Sequence, residues 1–351
     1  MDGAPRAIRY PEEKAPGSGE AIEIAEGILW LRFPLPMALD HVNVYALDEG
    51  DFWTLIDTGF DTKRTRAIWS DALAGPLAGK PIGRVVVTHH HPDHVGLAGW
   101  FQSEQGAEIA MTRTAWLTAR MLTLDEQHRP ADETIAFYKS AGMDRGILAK
   151  RMEERPFNFA DVVTPLKLGF TRLNDGQSIH MGGRDWTIRF GQGHAPDHAT
   201  FWSDDGKVVL GGDQLIPSIS PNIGVYATEP EADPVSEWLA ACNAFKPHAT
   251  SDQLVLPGHK LPFYGLPSRL DQLIENHHGA LKRLRDHLRT PHTAAECFLP
   301  IFKRQVGGGE YGLALVEAVA HCAHLWQAGE ATRVRRDDGA WLYQMKGAGH
   351  G

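Results

Sequence analysis

Residues 88–96 read THHHPDHVG, which places four of the chain's eighteen histidines within six positions. They follow Val85-Val86-Val87, a continuous apolar run that reads as a buried strand ending at Thr88. A strand apolar on both faces belongs inside a layered α/β body. Alternate strand residues point to one side, so His89 and His91 can converge on one ion. Past the strand the chain turns, and Asp93 and His94 can swing toward a second ion. Neutral imidazole and carboxylate are ligands that zinc, iron and manganese accept. His90 has the wrong strand parity and is read as a non-ligand.

The surrounding sequence supplies the layers. Ala21–Ala25 and Ile28–Pro34 read as strands joined at Gly27; Val42–Leu47 and Phe52–Asp57 flank the turn Asp48-Glu-Gly-Asp51. Asp61 or Thr62 can cap a helix through about Ala74. One helix is predicted from Pro92 through Trp100 and Phe101, then a strand over Glu108–Thr112. Residues 113–165 break this rhythm with two or three helices read as an insert. Strands resume at WTIRF, HATFW and KVVLGGD. From Leu266 the pattern is helical again, and the segment ATRVRRDDGAWLYQM reads as a hairpin around Asp338-Gly339. Three helices followed by a hairpin outline a winged-helix unit. His277 and His278 are read as surface or interface histidines, and His321 and His324 as core or interface residues. The polar stretch 1–20 is read as a flexible arm.

Three further glycine-bearing loops follow apolar strands. GQGHAPDH holds His194, VLGGDQL holds Asp213 and LVLPGHK holds His259. Glycine there permits close backbone approach. The ordered set THHHPDHVG, GQGHAPDH, GGD and PGHK resembles the metallo-β-lactamase superfamily, over about residues 21–265. The resemblance implies an αββα sandwich with metals at one edge of the two sheets. It implies that His89, His91 and His194 hold a first ion, that Asp93, His94 and His259 hold a second, and that Asp213 bridges them. The segment LIDTG also matches, and there Asp57 is expected to orient a ligand histidine from behind. The implied domains are 21–265, carrying the helical insert 113–165, and a mostly helical winged-helix-like domain over 266–351.

Two divalent ions, zinc before iron or manganese, about 3.5–4 Å apart can hold a bridging hydroxide and polarise a carbonyl. Asp93 is the expected catalytic carboxylate, orienting the hydroxide and passing its proton to the leaving group. A bridging aspartate in place of cysteine or serine argues against a true β-lactamase. The implied reaction is hydrolysis of a thioester or related small acyl ester, similar to glyoxalase II. A lactonase, a single-strand RNA or phosphodiester hydrolase, and a non-catalytic metal-binding regulator are the alternatives. Lys260, Tyr264 and His198 are candidate substrate contacts. The insert carries Arg113, Arg120, Arg129 and Lys139 beside Trp116, Phe137 and Tyr138, which suits a lid over an anionic acyl substrate.

Composition narrows the partners. Net charge is −9, and the residues before Pro262 carry 24 Lys/Arg against 35 Asp/Glu. That is a poor footprint for nucleic acid. The C-terminal part resembles, more loosely, the winged-helix extension of a subgroup of small hydrolases, one of which cuts single-stranded RNA. Its last helix, YGLALVEAVAHCAHLWQ, has no Lys or Arg, so a packing role is expected. No apolar run approaches the roughly 18 residues of a membrane span. Three scattered cysteines without CxxC spacing argue against disulfides, making a cytoplasmic location the expectation. A homodimer stays open.

Overall fold

The computed structural model describes residues 7–37 and 39–347. They form two compact units. Of the described residues, the first comprises those up to 126, 157–221 and 245–270, and the second 127–156, 222–244 and those from 271 on.

In chain order the elements are β1 (Ile22–Ala25), β2 (Ile28–Pro34), β3 (His41–Asp48), β4 (Trp53–Ile56), α1 (Lys63–Ala74), β5 (Ile82–Val86), α2 (Pro92–Val95), α3 (Ala98–Glu104), β6 (Glu108–Thr112) and α4 (Arg113–Leu124). There follow α5 (Asp132–Ser140), α6 (Arg145–Glu153), β7 (Thr171–Leu173), β8 (Ser178–Met181), β9 (Arg184–Gly191), β10 (His198–Ser203), β11 (Val208–Gly212), α7 (Pro234–Phe245) and β12 (Leu254–Pro257). The chain ends with α8 (Leu266–His287), α9 (Phe298–Phe302), α10 (Tyr311–Gln327), β13 (Ala331–Arg335) and β14 (Trp341–Met345).

The first unit holds two sheets. One runs β1-β2-β3-β4-β5-β6-β7 and the other β12-β11-β10-β9-β8. Strand alternation explains why the central strands are apolar throughout. Val42, Val44, Leu55, Val85 and Ile109 face one apolar cluster, which includes Trp69 and Phe101 of the helices. Tyr45, Leu47, Ile56, Val86 and Ala110 face a second, shared with Trp186, Ile188, Phe201, Leu210 and Leu256 of the other sheet. The architecture is thus the mixed α/β sandwich expected. Thr62 caps α1 by accepting from Thr65 N–H at 3.1 Å. Trp69 stacks on Phe33 at 4.5 Å and meets Phe101 edge-on at 4.9 Å, fixing that helix to its sheet.

Four differences from the sequence reading have physical causes. The helix after Pro92 is broken. Thr58 Oγ1 donates to the His94 carbonyl at 2.8 Å and accepts from Leu97 N–H at 3.0 Å, taking groups a continuous helix would use. Strands β7 and β8 escape the sequence pattern because they are short, polar and largely exposed. The residues read as one insert divide: α4 belongs to the first unit, while α5 and α6 belong to the second. The expected arm 1–20 lies partly outside the described residues. Its described part is tied down, since Arg9 and Tyr264 exchange backbone hydrogen bonds of 3.2 and 2.8 Å.

In the second unit, Asp144 caps α6 by accepting from Gly146 and Ile147 N–H. Strands β13 and β14 form the expected hairpin, with Arg333 over the rings of Trp326 and Trp341. His277, read as a surface or interface residue, is buried, its ring stacked on His321 at 5.4 Å. His324 instead pairs with Asp233 at 3.0 Å. Burial pushes the Glu317 carboxyl up to about 8, although Asn222 donates to it at 2.8 Å. A raised folded-state value means the protonated form is favoured in the fold. This contribution is complete below about pH 4.5 and is lost as pH rises through about 8. Glu317→Gln should therefore melt higher than the parent by a margin that grows from pH 5 to pH 8, on the order of 1–3 kcal/mol at the upper end. A margin independent of pH in thermal melts counts against this assignment.

Candidate metal centre

Every residue of the expected site follows the C-terminal end of a strand. Asp57 follows β4 and the 88–94 loop follows β5, and these two strands are parallel neighbours. Asp213 follows β11 and His259 follows β12, again a parallel pair, and His194 follows β9. Parallel neighbours end on the same sheet edge, so distant sequence motifs meet there. The loops need glycine to close. A Cβ on Gly258 would lie 2.2 Å from Asp213 Oδ1 and 2.8 Å from His94 Cε1.

The seven residues form three overlapping groups whose donor atoms could each hold an ion: His89, His91 and His194; His89, His94 and Asp213; and Asp93, His94 and His259. Asp213 reaches across them. Its Oδ2 lies 3.4 Å from His194 Nε2 and 3.1 Å from His259 Nε2, and its Oδ1 lies 3.4 Å from His94 Nε2. His89 and His91 do converge, with Nε2 and Nδ1 2.9 Å apart. Strand parity is not the cause, as β5 ends at Val86 and residues 88–90 are a bend. The two histidines consequently present different ring nitrogens.

Hydrogen bonds behind the histidines fix which nitrogen faces inward. His94 Nδ1 donates to Asp57 Oδ2 at 2.7 Å. His259 Nδ1 donates to the His41 carbonyl at 2.6 Å. Thr88 Oγ1 donates to Asp57 Oδ2 at 2.8 Å, so it accepts from His89 Nδ1 at 2.9 Å. Asp57 thus stands directly behind His94. Thr88 and His41 were missed. Thr88 heads the motif THHHPDHVG, but a hydroxyl beside three imidazoles carries no distinctive sequence signal. His41 acts through its backbone carbonyl, which leaves no sequence signal.

The charge pattern matches a cation site. Burial drives His89 and His91 well below the ordinary imidazole range, helped by neighbouring histidines, so both imidazoles are held neutral, the form that can bind a metal. Burial would also lower His94 and His259, but Asp213 and Asp93 outweigh it. His94 stands well above its ordinary value and His259 at about 10. Against burial, His259 and His94 hold Asp213 well below the carboxylate range. His94 Nε2 and Asp213 Oδ1 are buried without a hydrogen-bond partner. Buried nitrogen and oxygen donors aimed at one another fit a divalent metal.

The candidate substrate residues fare differently. His198 is fully buried, stacks on His89 at 4.6 Å and accepts from Asp213 N–H at 3.1 Å. It packs behind His89 and Asp213. Tyr264 packs against the inter-sheet core and carries Arg9 over its ring. Lys260 directly follows His259 with a left-handed backbone, φ 70°. His90 lies between His89 and His91, its ring 6.4 Å from Phe159 and nearly parallel to it.

Comparison with known proteins agrees with this geometry. The profile described as the metallo-beta-lactamase superfamily matches residues 37–259, and one described as the metallo-beta-lactamase-like C-terminal domain matches 281–346. The chain is 25% identical over 291 residues to the probable metallo-hydrolase YqjP of Bacillus subtilis, covering 79% of this chain and 85% of that protein. A solved beta-lactamase domain protein from Burkholderia ambifaria is 32% identical with TM-score 0.88, covering 96% of this chain and 98% of its own. A metallo-beta-lactamase family protein from Thermus thermophilus is 25% identical with TM-score 0.77, covering 92% and 100%. With the profile spanning the whole sheet-edge ligand set, the chain belongs to the metallo-beta-lactamase superfamily and carries its C-terminal domain.

Proposed function

We propose that the chain is a two-ion hydrolase of thioesters or closely related small acyl esters. The observation that carries the two-ion reading is Asp213, whose carboxylate meets His194 of one donor group and His94 and His259 of the other. Bound ions, zinc foremost with iron or manganese as alternatives, would supply Lewis acidity and lower the pKa of water. The Bacillus relative's description as a probable metallo-hydrolase supports hydrolysis.

The chain's own groups do the rest. Asp93 is the most open carboxylate of the set, its side chain 15% exposed against 8% for Asp213. Its carboxylate can orient the attacking water and carry a proton from it to the leaving group. A thiolate needs little such help, which favours thioesters over amides. Phe159 against His90, with Phe157 61% exposed beside it, offers an apolar wall for an acyl chain. Lys260 adds a positive charge next to His259, suited to an anionic acyl substrate. The basic residues of α5 and α6 belong to the second unit.

Cleavage of RNA is disfavoured because the arginines around the C-terminal hairpin are already engaged. Arg333 pairs with Glu231, Arg336 with Asp338 and Arg285 with Glu330. A regulator without catalysis is disfavoured by Asp93, whose partial exposure leaves the site open.

Zinc-loaded protein should be assayed on acyl-CoA, acyl-glutathione, lactone and p-nitrophenyl ester substrates, with and without chelator. Thioesters should turn over with a kcat/KM at least about tenfold above the others, an advantage of about 1.4 kcal/mol. A panel with no chelator-sensitive turnover rejects the proposal; lactone in first place rejects the substrate class alone.

A further inference from the structure

His259 sits in the loop 257–260, at the edge of one sheet, and the side chains gripping that loop come from the other. Asn43 on β3 is buried. Its Oδ1 accepts from Trp30 Nε1 at 3.0 Å and from Arg32 Nε at 3.1 Å. Two donors on the oxygen fix the amide's orientation. Its Nδ2 then donates to the carbonyls of Pro257 and Lys260, each at 2.9 Å. Its backbone N–H donates to the Gly258 carbonyl at 2.7 Å. Tyr45 Oη donates to the Pro257 carbonyl at 2.8 Å, and Arg32 Nη2 to that of Lys260 at 2.7 Å. Lys260 N–H donates to His41 Nε2 at 2.9 Å.

The carbonyls flanking His259 on both sides are therefore held by β2 and β3. The loop cannot find another path easily, because Gly258 has no room for a Cβ and Lys260 is left-handed. Arg32 makes no ion pair among the described residues, so its charge acts on a neutral carbonyl, where a charged donor bonds strongly. None of these described bonds runs to the first donor group, in which His89 and His91 follow β5 and His194 follows β9.

We infer that Arg32 and Asn43 are positioning residues that set the affinity of the Asp93–His94–His259 ion position separately from the His89–His91–His194 position. This rests on the two-ion reading. Arg32→Met keeps the side-chain length and removes both bonds; Arg32→Lys restores one charged donor. Asn43→Ser removes the two Nδ2 bonds and keeps the backbone bond to Gly258.

Chelator-stripped wild-type and variant proteins are titrated with Co2+ while the visible d–d absorption is followed. Bound zinc is counted by elemental analysis at buffered free zinc, and the ion-free forms are melted. The wild type should take two ions. Arg32→Met and Asn43→Ser should bind the first with parental affinity and the second at least about tenfold more weakly, the range seen for groups that orient metal ligands. Arg32→Lys should recover most of that loss, and the ion-free variants should still show a single cooperative melt, so that the weakened second ion is not the result of a lost fold. Equal weakening of both ions, or an unchanged second ion, overturns the inference and leaves the two-ion reading standing. A wild-type chain that binds fewer than two ions overturns both.

Discussion

Asp213→Asn should cost at least about a thousandfold in kcat/KM, roughly 4 kcal/mol of transition-state stabilisation. The size follows from its place: among the described residues no other carboxylate contacts histidines of both outer donor groups. Asparagine has the same shape but only one oxygen. Its amide nitrogen must then face His94 Nε2 or the pair His194 and His259, turning an acceptor for cations into a donor. Bound metal per chain should fall with activity. Both are measured per folded molecule, with circular dichroism as the control. A variant that keeps more than a tenth of the activity, or two full ions, removes Asp213 from the bridging role.

That such an experiment can be planned from the sequence reflects how local most of the site is. Four candidate ligands lie in six residues, and each of the others sits in a short glycine-bearing loop behind an apolar strand. Both patterns survive in one dimension. The αββα layering was legible for the same reason, since Val85–Val87 is apolar on both faces and both faces proved covered. Other features are tertiary and left no such trace. The break between α2 and α3 depends on Thr58, some forty residues earlier. Asn43 and Lys260 are 217 positions apart, so the grip on the His259 loop has no local signature. Strand parity pointed to the converging pair, His89 and His91, by the wrong route, because the strand stops before them. The helices read as a single lid divide between units, since periodicity reports a helix's apolar face but not which body covers it.

Asp57→Asn should weaken ion binding by about 10- to 100-fold, with little change in fold. Asp57 is left-handed at φ 64°, a conformation asparagine tolerates well, so the backbone is not the confounding factor. The carboxylate uses both oxygens as acceptors. Oδ1 takes Thr88 N–H at 2.8 Å, and Oδ2 takes Thr88 Oγ1 at 2.8 Å and His94 Nδ1 at 2.7 Å. Asparagine must put its NH2 in one of these places. Toward His94 it meets another donor, and the imidazole escapes by moving its proton to Nε2, the atom that faces Asp213 and the ion. Toward Thr88 it leaves a buried N–H unbonded, at about 1–3 kcal/mol. The first outcome weakens metal binding with little effect on the ion-free melting temperature; the second does the reverse. Competition for zinc against a chromophoric chelator, set beside melting of the ion-free protein, separates them. The bond to His94 is the shorter and joins two charge-bearing groups, but it can survive the substitution by turning the amide oxygen toward the ring only if Thr88 gives up its backbone partner. Unchanged zinc affinity with a lowered melting temperature would therefore mean that Asp57 serves to hold the Thr88 turn, and that the inward nitrogen of His94 is fixed by the ion itself.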